Sequence, residues 1–223
     1  HLPLFMDMAA EGMEFSGPAD STGIRAPYAC VSRGGADVPG GSGFALFAWL
    51  SGLSRELARY NAVGVLLDRI LLEGRSITHA DAGTIFLVED DRLTFANIHN
   101  DTLFPGSAAN KHAYASTTLP LDTKSIAGFV ALERCLVNIR DMRSLPEGVP
   151  FSFNESLDLA TGYRTVSTLT VPILGQEDRI LGVLQLINSQ PEGVPEPFTE
   201  TMETRVQLLA AQAGSAIERG TMA

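Results

Sequence analysis

Residues 83–99 read GTIFLVEDDRLTFANIH. The stretch 83–88 is rich in β-branched and aromatic residues, and the stretch 93–99 alternates between apolar and polar positions, as β-strands do. The polar residues EDDR, at 89–92, separate the two stretches and favour a turn. Because two strand-like stretches joined by a short turn pair with each other, we predict an antiparallel hairpin.

A second hairpin is predicted nearer the C-terminus. Residues 166–174 and 179–188 are strand-like and flank the turn sequence GQED. A short helix at 125–132, a short strand at 135–139 and a long irregular stretch at 141–165 lie between the hairpins. Because hairpins build antiparallel sheets, we expect one such sheet with a long functional loop beside it.

The sequence on either side of the strands is predicted to be helical. Apolar residues recur at steps of three and four within 50–71, which predicts a helix that begins near Phe44 or Ser54 and is capped by Gly74. The same spacing within 198–217 predicts the last helix. Helices that cover one face of an antiparallel sheet define an α+β fold.

Composition excludes several classes of partner. The chain has 223 residues and a formal net charge of −10, so we expect neither nucleic acid nor an anionic membrane surface as a partner. No apolar run approaches the ~20 residues of a membrane span, and the N-terminus lacks a secretory signal pattern, so we expect a cytoplasmic protein. Two cysteines and the absence of a Cys/His cluster predict no metal site.

Residues 1–43 differ in composition from the remainder. Gly, Pro, Ala, Ser and Asp dominate there, and neither a helical nor a strand period persists. We therefore divide the chain into an extension of unknown role at 1–43 and a folded domain at 44–223.

Four segments carry a resemblance to a known family. They read ADAGTIFLVEDDRL (80–93), LPLDTKSIAGFVALERCLVNIRD (119–141), FNESLDLATGYRTVSTLTVPI (153–173) and ILGVLQLINS (180–189). Together they resemble the GAF domain, the small-molecule sensor module of cyclic-nucleotide phosphodiesterases, bacterial adenylyl cyclases and many signalling proteins. The resemblance covers about residues 54–219. It implies a central antiparallel sheet of about six strands with the N- and C-terminal helices on one face and a ligand pocket under loops on the other.

One motif departs from the family pattern. The subclass found beside cyclic-nucleotide enzymes carries an Asn-Lys pair, then a Phe followed four residues later by Asp-Glu. The matching residues here are Asn188 with Ser189, and Phe198 with Met202 and Glu203. The family's Lys and Asp are thought to form an ion pair behind the pocket, and we expect this chain to lack that pair.

The resemblance also implies a set of ligand-binding residues. By matching motif positions, they are Thr84 on the first strand, His99 and Asn100 at the end of the second, Ile126 and Ala127 at the start of the short helix, Asp158, Thr161 and Thr165 in the lid segment 141–165, and Gln185 on the last strand. Backbone amides at a helix start suit a phosphate, and an apolar slot with a few polar groups suits a purine. The candidate ligands are therefore cAMP and cGMP.

The function implied is that of a regulatory sensing module in a bacterial-type signal transduction protein. Ligand would close the lid segment, and the terminal helices would relay the change to an output domain. We expect a homodimer through 50–72 and 198–219, because both helices carry apolar stripes. Since no catalytic motif is present, we expect no catalytic residues and no enzyme activity in this chain.

Three alternatives remain open at this point. The pocket can serve another small molecule, or it can be vestigial, in which case the chain is a dimerisation or spacer module. A minor alternative is a free methionine sulfoxide reductase, a GAF branch that uses several cysteines around the pocket. Within 44–223 this chain has only Cys135.

Overall fold

The computed structural model of the protein describes residues 28–31, 63–104, 118–145 and 147–221. In chain order its helices and strands are β1 (Tyr28–Val31), α1 (Val63–Thr78), β2 (Ala80–Glu89), β3 (Arg92–Asn100), β4 (Thr118–Pro120), α2 (Ile126–Glu133), β5 (Leu136–Ile139), α3 (Ser156–Thr161), β6 (Thr168–Leu174), β7 (Ile180–Ser189) and α4 (Glu200–Thr221).

The strands form one sheet in the order β1-β5-β6-β7-β2-β3-β4. Every neighbouring pair is antiparallel, and both predicted hairpins, β2–β3 and β6–β7, are present. The predicted fold class, an α+β arrangement around an antiparallel sheet, is therefore confirmed. Strands β5, β6, β7, β2 and β3 correspond to predicted strands, whereas β1 and β4 are short edge strands that the sequence patterns did not indicate.

Helices α1 and α4 cover one face of the sheet, as predicted. Their buried residues join the inward side chains of the central strands in one apolar core, which includes Leu71 and Leu209 from the helices and Leu184 and Leu186 from β7. Gly214 lets α4 approach the end of β6, because a Cβ there would overlap the carbonyl oxygen of Leu174. We call this side of the sheet the helix face.

The predicted end of the first helix is wrong. Helix α1 continues through Gly74 to Thr78, and His79 adopts the left-handed conformation that ends it. Gly74 is buried and faces Leu186 and Leu209, so its small size serves helix–sheet packing instead of a cap. The predicted start near Phe44 or Ser54 lies outside the described residues.

The extension contributes a strand to the sheet. Strand β1 pairs with β5 in the register Tyr28↔Ile139 to Val31↔Leu136. The division at residue 43 remains a prediction, but the boundary of the sheet does not coincide with it, because part of 1–43 is hydrogen-bonded to the folded domain.

Candidate functional site

The face of the sheet opposite α1 and α4 is only partly covered. Helix α2 packs over one half of it, where a second apolar cluster includes Phe86, Val130 and Val183. In the other half, Gln185 and Ile187 are half-buried although they lie in β7, which has a neighbouring strand on each side. Their neighbours on the helix face of the same strand are fully buried. This contrast locates an accessible surface on the second face, which we call the open face.

A row of side chains crosses the open face. The strand registers pair Thr84 with Ile98 on one side and with Gln185 on the other, and Gln185 in turn with Thr170. The Gln185 amide donates to the Thr170 hydroxyl at 3.2 Å (Nε2 to Oγ1). The row therefore places the half-buried Gln185 amide beside Thr84, which is 8% exposed, between apolar neighbours, the mixture that orients a small polar ligand.

The first turn of α2 lies on the same face of the sheet. Ser125 is the N-cap, and its Oγ accepts the Gly128 backbone N–H at 3.0 Å. Ile126 and Ala127 follow and are buried in the second apolar cluster. Because the first N–H groups of a helix lack intrahelical partners, this turn can donate to an anion placed before it.

The lid segment is held together by a buried carboxylate. Asp158 is 7% exposed and accepts two bonds from Thr165, from the backbone N–H at 2.7 Å and from the hydroxyl at 2.9 Å. Arg143 lies 3.5 Å from the same carboxylate, donates to the Thr165 carbonyl and places its guanidinium 6.0 Å from the Phe153 ring centre. These contacts, which we call the lid clasp, join three parts of the lid segment.

Asn188 anchors the C-terminal end of the lid segment. It has a left-handed backbone conformation (φ 55°) at the end of β7, a region that Asn tolerates better than most residues. Its Oδ1 accepts the backbone N–H groups of Val166 at 2.7 Å and Ser167 at 3.2 Å, and its Nδ2 donates to the Tyr163 hydroxyl and the Arg164 carbonyl. One side chain thus satisfies four groups of a segment that lacks strand pairing.

The Tyr163 hydroxyl is enclosed on its other side by Asp81. It donates to the Asp81 carboxylate at 2.8 Å, and both residues are buried. Burial, with the hydrogen bond to Asp81 as the next cause, raises the pKa of Tyr163 far above its ordinary value. Tyr163 is therefore a fixed hydrogen-bond donor and not an acid that titrates near neutral pH.

His99 lies at the end of its strand as predicted, but on the helix face and not on the open face, where a ligand-binding role would place it. His99 pairs with Gly83, whose missing side chain would meet Leu71, so both lie on the helix face. The His99 ring nitrogen Nε2 lies 2.9 Å from the Asp68 carboxylate on α1. The physical reason is the period of two along β3, which sends neighbouring residues to opposite faces. Asn100, one residue further, pairs with Ala82 on the open face, but its Oδ1 accepts the Leu103 backbone N–H in a turn.

A family model described as GAF domain matches residues 63–217. The chain belongs to the GAF domain family. GAF domains are regulatory or sensor modules.

Curated relatives and solved structures agree with this family. The chain is 30% identical over 161 residues to a cGMP-specific 3',5'-cyclic phosphodiesterase of Drosophila erecta, which is 70% of this chain and 14% of that protein. The chain thus spans only a small part of the curated relatives it matches. Similar solved structures include a GAF domain of an Acinetobacter phosphoenolpyruvate-protein phosphotransferase (TM-score 0.61, 19% identity, 80% of this chain and 96% of that one). A free methionine-R-sulfoxide reductase of Neisseria meningitidis has the same fold (TM-score 0.58, 16% identity, 83% and 95% covered).

The GAF fold of this chain brings some of the predicted site residues together. The register places Thr84 and Gln185 side by side on the open face. Asp158 and Thr165 are close, but they are bonded to each other within the lid clasp. Thr161 is exposed at the end of α3, and its hydroxyl accepts the Tyr163 backbone N–H at 3.3 Å.

Cys135 and the acidic side chains are the groups of this GAF domain that bear on redox and metal chemistry. Cys135 is disulfide-bonded and therefore is not a free thiol. Across the described ranges, no three His, Cys, Asp or Glu side chains are grouped so that they could hold a metal ion. None of the helices in the same ranges has the length and apolar character needed to cross a membrane.

Sequence reasoning missed the residues that organise the lid. Arg143, Tyr163 and Asp81 were not singled out, although Tyr163 follows the Thr161-Gly162 turn and Asp81 opens the first strand. Their importance comes from contacts between distant positions: Tyr163 and Asp81 are 82 residues apart in the chain, and Arg143 and Thr165 are 22 apart. A single sequence contains no local signal for such a contact.

Proposed function

We propose that this chain is a ligand-sensing GAF module of a signal transduction protein of bacterial type, acting in the cytoplasm without catalysing a reaction itself. Its ligand would occupy the open face beside the first turn of α2. The observation that supports this most strongly is that Gln185 and Ile187 are only half-buried in a strand flanked on both sides, because a surface that the described residues leave partly uncovered in the middle of a sheet is available to a ligand.

A cyclic nucleotide is the ligand we propose to test first. The curated relatives named as cGMP-specific phosphodiesterases support it, and so does the chemistry of the surface. The α2 N-terminus suits the cyclic phosphate, Ile98 and Ile187 suit the faces of a purine, and the Gln185 amide and Thr84 hydroxyl suit its edge. Ile126 and Ala127 would border the phosphate.

Asp158 and Thr165 take a different role in this proposal from the one first predicted. Because both Asp158 oxygens already accept bonds from Thr165, they would influence the ligand by keeping the lid segment closed. Thr161, exposed at the end of α3, and Asn100, at the edge of the open face, remain candidates for direct contact.

A ligand titration tests this function. Thermal unfolding of the full chain with cAMP or cGMP at 100 times the dissociation constant should gain about 2.7 kcal/mol, or roughly 5–10 °C. Gln185→Ala should weaken binding roughly tenfold or more, the effect of losing one hydrogen-bond partner. His99→Gln, on the helix face, is the matched control and should bind as the wild type does. Equal binding by wild type and Gln185→Ala would remove the open face as the site.

A second candidate function rests on the lid clasp. Because Asp158, Thr165 and Arg143 bond to one another, contacts within the lid segment can hold it closed, as expected of a dimerisation or spacer module with a vestigial pocket. In either case we propose a homodimer through 50–72 and 198–219. Val65 and Leu72, seven residues apart on α1, are exposed apolar side chains that support this. Sedimentation that shows only monomer at high concentration would exclude the dimer.

Methionine sulfoxide reduction is not supported by the chemistry of this chain. The fold similarity to such an enzyme is at 16% identity and concerns the fold alone. The reaction in that branch uses several cysteines around the pocket, whereas Cys135 is the one cysteine of this chain within 44–223.

A further inference from the structure

Three segments of the domain meet at the Asp81 carboxylate, which is 5% exposed. Tyr163, at the end of the lid segment, donates to Oδ2 at 2.8 Å. Thr102, in the turn after β3, donates to Oδ1 at 2.9 Å, and Gln190, in the connection from β7 to α4, donates to Oδ1 at 3.0 Å. The carboxylate is therefore the shared acceptor of segments that are distant in sequence.

The backbone of the same residue is bound by helix α1. Arg75 is buried in the last turn of α1. Its Nη2 donates to the Asp81 carbonyl at 2.9 Å, and its Nε donates to the Ala80 carbonyl at 3.1 Å. The Arg75 guanidinium also forms an ion pair with Asp101. The lid segment thus bonds to the Asp81 side chain, and α1 bonds to the Asp81 main chain.

Opening of the lid segment would remove a hydrogen-bond donor from one of the two Asp81 carboxylate oxygens. Tyr163 donates to Oδ2, whereas Thr102 and Gln190 both donate to Oδ1. Withdrawal of Tyr163 would leave part of a buried charge without its donor, which is costly, so Asp81 would have to shift or admit water. A shift of Asp81 moves the two carbonyl groups to which Arg75 is bonded.

We propose that Asp81 is the junction through which the state of the lid segment reaches helix α1. This regulatory role rests on the proposed ligand-sensing function, since the lid segment borders the same open face. Because coupling between two sites is reciprocal, a change at the α1 end must also loosen the lid segment. The coupling requires no contact between the ligand and α1.

Hydrogen exchange of the full chain, without any ligand, tests the junction. Tyr163→Phe removes only the hydroxyl, and amide exchange in 75–82 should rise about tenfold or more, as expected for the loss of one hydrogen bond to a charged group. Thr165→Val is the matched control, because it removes a lid hydroxyl that donates to a different buried carboxylate. In that variant exchange should rise within 154–167 and should rise less in 75–82 than it does in Tyr163→Phe, because the Tyr163 hydroxyl remains to donate to Asp81.

Three results would overturn the proposal. One is unchanged exchange of 75–82 in a folded Tyr163→Phe protein. Another is an increase confined to the lid and to 190–198, which would direct the coupling to α4 through Gln190. An equal rise in 75–82 for Thr165→Val would also overturn it, because the effect would then be a general loosening.

A perturbation from the α1 end provides an independent test. Arg75→Lys keeps the charge but loses the two-pronged donation to the backbone, so exchange at 163–167 should rise although no lid residue is changed. In a double-mutant cycle, Tyr163→Phe added to Asp81→Ala, which removes both acceptor oxygens, should raise the exchange of 75–82 no further than Asp81→Ala alone. Additive effects would show that Tyr163 and Asp81 act separately. Since no ligand is used, the outcome is independent of the cyclic-nucleotide titration.

Discussion

Substitution of Asp158 by Ala tests whether the lid clasp stabilises the lid segment. The wild-type carboxylate accepts the Thr165 backbone N–H at 2.7 Å and the Thr165 hydroxyl at 2.9 Å, both in a buried environment. Alanine removes both acceptors and leaves a buried N–H without a partner. Asparagine is the matched variant, because it keeps one acceptor oxygen but removes the negative charge that faces Arg143.

The magnitude follows from these contacts. A hydrogen bond to a charged group contributes about 1.5–3 kcal/mol, and a buried N–H left unsatisfied costs about 1–3 kcal/mol, so these overlapping effects amount to roughly 3 kcal/mol for Asp158→Ala. The Arg143 pair adds under about 1 kcal/mol, because Arg143 is partly exposed and solvent screens the pair. We expect Asp158→Asn to lose about half as much, since one of the two bonds survives.

Two assays report the loss. Thermal unfolding should show a midpoint lower by roughly 6–12 °C for Asp158→Ala if the lid unfolds together with the sheet. If the lid opens separately, the midpoint changes less, and limited proteolysis should cleave within 154–167 faster, in the order Ala, Asn, wild type. Ligand affinity should be highest for the wild type, lower for Asp158→Asn and lowest for Asp158→Ala, because Asp158 acts on ligand binding by keeping the lid segment closed.

One combination of results would refute this reasoning. Asp158→Ala with both the wild-type midpoint and the wild-type cleavage rate would mean that the clasp contributes no stability. Reduced ligand affinity with unchanged lid cleavage would mean that Asp158 contacts the ligand directly, as the family resemblance first implied.

Three further predictions concern stability. Gly214→Ala should destabilise the fold by about 1–3 kcal/mol in urea, because α4 must move away from β6, whereas Ser215→Ala, on the exposed side of α4, should stay within about 0.5 kcal/mol. Leu186→Ala should cost about 2–5 kcal/mol, and Leu159→Ala, at a site that is 80% exposed, almost nothing by the same assay. Because the pKa of Tyr163 is raised in the folded state, its contribution to stability is present below pH 10 and is lost as the pH rises above 10.0, the ordinary value. Urea unfolding between about pH 9 and 11 should show a steeper loss for wild type than for Tyr163→Phe; parallel curves would contradict the raised pKa.

The two hairpins show which parts of the fold local sequence patterns predict. Their alternation of apolar and polar residues is a property of neighbouring positions, so β2, β3, β6 and β7 were predicted with the correct partners. Edge strand β4 was missed because three residues carry too little period, and β1 because its pairing with β5 depends on a distant segment. Gly74 was misassigned as a cap because a glycine at a helix end and a glycine in a tight helix–sheet contact are indistinguishable in sequence.

The site illustrates the same limit. Motif resemblance selected Thr84 and Gln185, which the sheet places side by side, and it also selected His99, which a shift of one position sends to the helix face. Motif resemblance indicated that Asp158 and Thr165 lie in the lid. It did not indicate that they bond to each other.

The sequence by itself determined the central strands, the two antiparallel hairpins and the family, because each depends on short-range periodicity or on runs of matching residues. Only the tertiary structure decided which polar groups remain available to a ligand and which are already bonded. The sequence contains no signal for the role of Asp81, since one aspartate among 26 acidic residues carries no distinguishing pattern. Its significance arises when burial removes water and leaves Tyr163, Thr102 and Gln190 as its donors, a condition that depends on the packing of the whole domain.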